Sequence, residues 1–83
     1  NIHPSLLPKY KGLNTFSKIL QNQEILSGCT VHYVNEKLDS GKIILQKKFT
    51  VLKSDSVNTL KNKTQKIEYL AYSEAITKIY KMN

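Results

Sequence analysis

The chain has no arginine and no tryptophan, one cysteine, two prolines and three glycines in 83 residues. Each scarcity excludes something. All thirteen basic residues are lysines. Arginine is the usual bidentate reader of phosphate and guanine, so its absence argues against nucleic acid as a partner. The seven aromatic residues are scattered and form no stacking platform. A lone Cys29 forbids an internal disulfide and fits a reducing compartment. No apolar run approaches the ~20 residues of a membrane span, and no charged-then-apolar leader is visible. The chain therefore reads as cytoplasmic, with no membrane partner. Gly12, Gly28 and Gly41 stand apart, so there is no glycine-rich phosphate cradle. No cluster of metal-ligand spacing is visible either, and no metal is expected.

What is present is length for one domain at most, with a marginal core. The formal net charge is +7. It reads first as a solvated lysine-rich surface, and the same charge attracts phosphorylated or polyglutamylated small molecules. The first residue is Asn1 rather than Met and already belongs to the most informative motif, so the chain reads as a piece of a longer protein cut just inside a strand.

Residues 1–3 read as a strand end. Pro4, Pro8 and Gly12 make residues 4–13 an irregular loop in which Leu7–Pro8 is a candidate cis peptide. Asn14 or Thr15 caps a helix carrying Phe16, Ile19, Leu20 and Leu26, with Gly28 as its stop. Residues 29–34 alternate as a strand, Cys29, Val31 and Tyr33 on one face and Thr30, His32 and Val34 on the other. A polar turn over residues 35–41 leads to a second strand over 43–51, and the two pair as an antiparallel hairpin. Ser54, Asp55 and Ser56 offer caps for a long final helix. Its buried stripe is Val57, Leu60, Thr64, Ile67, Leu70, Ala71, Ala75 and Ile79. The order is that of half an α/β domain.

Asn1 and His3 are two residues apart, so in an extended chain they share a face. An amide N–H and an imidazole aimed at one point can hold a carbonyl oxygen that becomes an oxyanion. Asp39, if the fold brings it near, holds the imidazole and raises its affinity for a proton. Taken singly these residues also read as a loop cap, a surface histidine and a turn former. His32 reads as a strand residue satisfied by a neighbour, and Cys29 as a small core residue.

The run Asn1-Ile2-His3-Pro4-Ser5-Leu6-Leu7-Pro8 with Tyr10 and Gly12, then Gly28-Cys29-Thr30-Val31-His32-Tyr33-Val34, then Leu38-Asp39-Ser40-Gly41-Lys42-Ile43-Ile44, resembles the C-terminal half of the phosphoribosylglycinamide formyltransferase family. The likeness runs nearly the whole length of the chain. It implies an α/β, Rossmann-like formyltransferase fold, with a strand end, loop, helix, antiparallel hairpin and long C-terminal helix. Residues 1–83 would be the C-terminal part of the catalytic domain. The N-terminal nucleotide- and phosphate-binding half, absent here, would be a partner.

The implied activity is formyl transfer from 10-formyltetrahydrofolate, a co-substrate, to the amine of phosphoribosylglycinamide in purine biosynthesis. His3 matches the family's catalytic histidine, Asn1 its oxyanion donor and Asp39 the aspartate that tunes the histidine. Asn35, Glu36, Lys37, Leu38 and Asp39 align with the folate-contacting loop. Gln65 and Glu68 match a pair on the ribonucleotide, and i,i+3 spacing lets both reach one ligand. Lys42 stands where relatives commonly have proline. The fragment is expected to be inactive and poorly folded alone unless it dimerises or meets its other half. The alternatives are a formyltetrahydrofolate deformylase fragment, a methionyl-tRNA formyltransferase fragment and a non-catalytic basic binding module.

Overall fold

The computed structural model describes residues 1–34 and 42–82. The elements are β1 (Ile2–His3), α1 (Thr15–Gln21), β2 (Leu26–His32), β3 (Ile43–Thr50) and α2 (Val57–Met82). The strands form one antiparallel sheet in the order β1-β2-β3. The expected mixed α/β class, hairpin and long final helix are all present. Among the described residues no helix is long and apolar enough to cross a membrane.

β2 is the centre of the sheet, and every residue from Ser27 to His32 is buried. Its register runs from Leu26↔Thr50 to Val31↔Leu45, and a bulge before His32↔Ile43 shifts the pairing by one residue. Alternation splits its side chains between two covers. Cys29 and Val31 form the core with Ala71 and Ala75 of α2, and Ile2, Ile44, Leu45 and Ile67 pack against them. The opposite face is covered by the loop between β1 and α1. The loop makes one internal backbone bond, Lys9 N to Leu6 O at 3.1 Å, and side chains satisfy further buried backbone groups. Thr30 Oγ1 donates to Ser5 O at 2.7 Å, accepts from Leu7 N at 3.0 Å and accepts from Gln46 Nε2 at 2.9 Å. Gln46 Nε2 also donates to Leu7 O at 2.8 Å, and Ser5 Oγ donates to Lys9 O at 2.6 Å. The Leu7–Pro8 peptide within this loop is cis.

Three sequence readings need correction. The first helix does not run to Leu26. Gln23 takes a positive φ of 53°. Its N–H bonds Leu20 O at 3.1 Å, and the Glu24 N–H bonds Ile19 O at 3.3 Å. These two bonds close a Schellman motif with glutamine in the place glycine usually takes, so no glycine marked the stop. Gly28 instead lies inside β2, where a Cβ would collide with the Lys47 carbonyl of β3. It serves close backbone approach rather than helix termination. Asn14 sits at the N-cap of α1 in the left-handed region, yet its side chain makes no cap bond.

α2 also departs from its predicted stripe. Leu60, Thr64, Ala71 and Ala75 are buried, whereas Val57 and Leu70 are 44% and 60% exposed. Val57 is the first residue of the helix, and Leu70 falls on a flank that no other element covers among the described residues. The predicted caps fare better. Thr59 N–H donates to Ser56 Oγ at 3.2 Å and Ser56 N–H donates to Thr59 Oγ1 at 2.8 Å, a reciprocal box with threonine in the reaching position. Asp55 braces the turn before it. It accepts from Lys63 Nζ at 2.6 Å, Leu52 N at 2.8 Å and Thr59 Oγ1 at 2.8 Å.

Two outcomes follow. Thr30→Val keeps the shape but strands a buried amide and carbonyl, so urea unfolding should show a loss of about 2 kcal/mol or more; a shift below ~0.5 kcal/mol would contradict the role given to the hydroxyl. The Lys63 ammonium, with the Leu52 and Thr59 hydrogen bonds, lowers the Asp55 carboxyl from 3.8 to about 2. A depressed carboxyl contributes stability that is present above its unfolded pKa and lost as pH falls through the folded one. Asp55→Asn should therefore flatten the fall in melting temperature between about pH 4 and pH 2, and an unchanged slope would count against this bracing.

Candidate functional site

The site is built around the edge strand. β1 pairs with β2 through Ile2↔Val31 and His3↔Thr30. Pairing extends to Asn1, whose amino nitrogen donates to His32 O at 2.8 Å and whose carbonyl accepts from His32 N at 2.8 Å. Ile2 packs against the α2 core, so alternation turns Asn1 and His3 together to the other face. His3 is 6% exposed and Asn1 is exposed. The pair thus shares one face, as the sequence predicted, with the imidazole sunk and the amide at the surface.

The ring of His3 is fixed by the loop it precedes. Nε2 lies 2.8 Å from the carbonyl oxygen of Tyr10. A carbonyl only accepts, so Nε2 carries a proton and a second proton, when present, sits on Nδ1. Tyr10 holds a left-handed backbone with φ 58°, which turns its carbonyl back toward the strand. Neither this contact nor the Thr30–Gln46 brace beneath it was read from the sequence. The available signal was a threonine in an apolar strand, on the face away from the helix.

Gln65 and Glu68 lie on one side of α2. Both line an open groove of about 700 Å³ with Ile2, Tyr69, Tyr72, Ser73 and Ile76. Burial raises the Glu68 carboxyl, and the charge of His3 partly offsets this. Glu68 is thus within electrostatic reach of the histidine. Asp39 and the Asn35–Lys37 and Leu38 positions lie outside the described residues. The strand ends that bracket them are placed: Tyr33 N donates to Lys42 O at 2.9 Å, beside the His32 backbone that pairs Asn1.

The two residues read as structural are so. His32 is 2% exposed, and its Nδ1 is 3.0 Å from Tyr33 O. Cys29 is fully buried, and burial together with Glu68 pushes its thiol up to about 11, which keeps it protonated and unreactive.

The histidine geometry has a spectroscopic consequence. In ¹⁵N–¹H correlation spectra, the neutral His3 ring is expected as the Nε2–H tautomer. A dominant Nδ1–H tautomer would show that the Tyr10 contact does not hold in solution.

The family model described as formyl transferase matches residues 1–76. The chain is 46% identical over 72 residues to the phosphoribosylglycinamide formyltransferase of Haemophilus influenzae, an alignment covering 87% of this chain and 34% of that protein. A solved phosphoribosylglycinamide formyltransferase from Brucella melitensis superposes with a TM-score of 0.89 at 43% identity, covering 95% of this chain and 40% of that one. A formyltetrahydrofolate deformylase from Pseudomonas syringae superposes with a TM-score of 0.87 at 32% identity, covering 92% and 26%. The chain therefore spans little more than a third of the length of the transferases it matches. With a fold-wide match and the Asn1–His3 strand in place, this chain belongs to the formyl transferase family.

Proposed function

We propose that this chain is the C-terminal part of a catalytic domain that transfers a formyl group from 10-formyltetrahydrofolate to the amine of phosphoribosylglycinamide. The observation that carries the reading is the His3 ring, buried beside Asn1 and held by the Tyr10 carbonyl. Its chemistry is that of a group set to act through one nitrogen only.

The amine attacks the formyl carbon and a tetrahedral oxyanion forms. Asn1 donates an N–H to that oxygen, and doubly protonated His3 donates through Nδ1. The C–N10 bond then breaks, N10 gains a proton and the attacking nitrogen loses one, so formylated product and tetrahydrofolate result. Asp39, on the segment between β2 and β3, favours the imidazolium. The family resemblance assigns contact with the pterin part of the folate to Asn35, Glu36, Lys37, Leu38 and Asp39. Gln65 and Glu68 bind the ribonucleotide from the groove. The whole requires the nucleotide- and phosphate-binding half, the partner the chain needs for turnover. A homodimer is an alternative assembly. The cytoplasm, where free folates and purine precursors occur, is the compartment this reading implies.

The deformylase is the second reading, because a deformylase superposes nearly as well as the transferases. Product analysis separates the two. With the chain complemented by the remainder of the domain, formyltetrahydrofolate and phosphoribosylglycinamide should yield formylated ribonucleotide, and free formate as the main product would assign the deformylase. His3→Ala should lower the rate roughly 10²–10⁴-fold and removal of the Asn1 amide roughly 10²–10³-fold. A His3→Ala complex within threefold of the parent rate would overturn the proposal.

A further inference from the structure

The loop between β1 and α1 is fastened at two places. The inner one is the Thr30–Gln46 brace on Ser5 and Leu7. The outer one is Glu24, two residues before β2. Its Oε2 accepts from Lys9 Nζ at 3.2 Å, and its carboxylate also accepts from the Tyr10 hydroxyl. The Asn22 side chain bonds the same hydroxyl. Burial first, and the Glu24 carboxylate second, hold the Tyr10 phenol above its usual 10.0. The phenol therefore stays protonated at neutral pH and donates.

Glu24 is a firm support. Only 23% of its side chain is exposed, against 66% for Lys9. Its backbone closes the turn that ends α1, N–H to Ile19 O at 3.3 Å, and Ile19 is buried. The ion pair with Lys9 faces solvent and adds little. The hydroxyl bond is directional, and the residue it restrains is strained. Tyr10 has a φ of 58°, unfavourable for a bulky side chain and kept only where the surroundings over-determine it. The same backbone turns the Tyr10 carbonyl onto His3 Nε2 at 2.8 Å. One residue thus joins two groups: its hydroxyl meets Glu24 and its carbonyl meets His3.

We infer that Glu24 is a positioning residue for His3: by accepting from the Tyr10 hydroxyl it keeps Tyr10 left-handed, keeps the carbonyl on Nε2 and leaves Nδ1 as the working nitrogen. Glu24 acts only through Tyr10. The rate effect of this contact rests on the formyl-transfer reading above, whereas the His3 tautomer does not. An anchor that merely stabilised the loop would lower the melting temperature and leave both the tautomer and the turnover of folded molecules unchanged.

The test compares the chain, joined to the remainder of its domain, with Glu24→Leu, Glu24→Gln, Tyr10→Phe and Lys9→Met. Circular dichroism and thermal melting check that each variant is folded, and Tyr10→Phe removes a single hydroxyl. Glu24→Leu and Tyr10→Phe should each lower kcat roughly 10- to 100-fold, with KM for both substrates within about threefold. In ¹⁵N–¹H spectra both should move the neutral His3 ring from Nε2–H toward a mixture with Nδ1–H. Glu24→Gln keeps an acceptor for the hydroxyl and should rescue, and Lys9→Met cuts only the ion pair, so both should keep kcat within about threefold of the parent. The Glu24→Leu/Tyr10→Phe pair should be no worse than the poorer single change, because both cut one contact. A folded Tyr10→Phe with the parental tautomer and kcat within about threefold of the parent would overturn the inference. Equal losses in Glu24→Leu and Lys9→Met would also overturn it. A parent that yields only formate, or no product, rejects the formyl-transfer reading and leaves the tautomer spectra to decide the role of Glu24.

Discussion

One hydroxyl group organises this chain. Thr30 Oγ1 meets the carbonyl of Ser5, the amide of Leu7 and the side chain of Gln46, and so ties the loop after β1 to the middle strand. Among the described residues that loop has no partner strand of its own, and it carries the Tyr10 carbonyl that fixes His3. Position therefore passes from the most buried strand, through a threonine and a glutamine, to a loop and back to the His3 imidazole. Buried polar groups are costly when unpaired and specific when fully paired. Here they hold a residue whose usefulness depends on where one nitrogen points.

The two faces of β2 explain how so short a chain does this. One face is apolar and packs on Ala71 and Ala75 of α2, small residues that let the helix lie close. The other face is polar, and Thr30 on it bonds the Ser5 carbonyl, the Leu7 amide and the Gln46 side chain. The same strand thus supplies burial on one side and hydrogen bonds on the other. The lysine-rich exterior is partly neutralised at the surface, by Lys47 to Glu74 at 2.6 Å and Lys9 to Glu24 at 3.2 Å. Exposed pairs of this kind add little stability, so the fold leans on the β2–α2 contact and on the Thr30 brace.

Much of this was legible in the sequence. Alternation marked the hairpin, Ser56 marked the start of α2, and the Asn1–His3 spacing placed both residues on one face. The Leu7–Pro8 bond also took the anticipated form. What failed has particular physical causes. The end of α1 uses Gln23 where a glycine would have announced it, and Gly28 answers to the Lys47 carbonyl on another strand, which no local pattern encodes. Leu70 looks like core by period alone, yet the packing of α2 leaves it 60% exposed. In the site, side-chain identity pointed to Asn1, His3, Gln65 and Glu68. The contact that selects the histidine nitrogen is with a backbone carbonyl, which every residue type offers equally.

The central proposal is that the Asn1 amide and the Nδ1 edge of His3 converge on one reacting carbon. The most direct measurement is a crystal structure of the chain joined to the rest of its domain, bound to an analogue of the tetrahedral intermediate. The account requires the analogue's oxygen within 2.7–3.1 Å of the Asn1 amide nitrogen and of His3 Nδ1, the distances of an oxyanion donor. An oxygen bound at Nε2, or lying beyond hydrogen-bond reach of both residues, would contradict it.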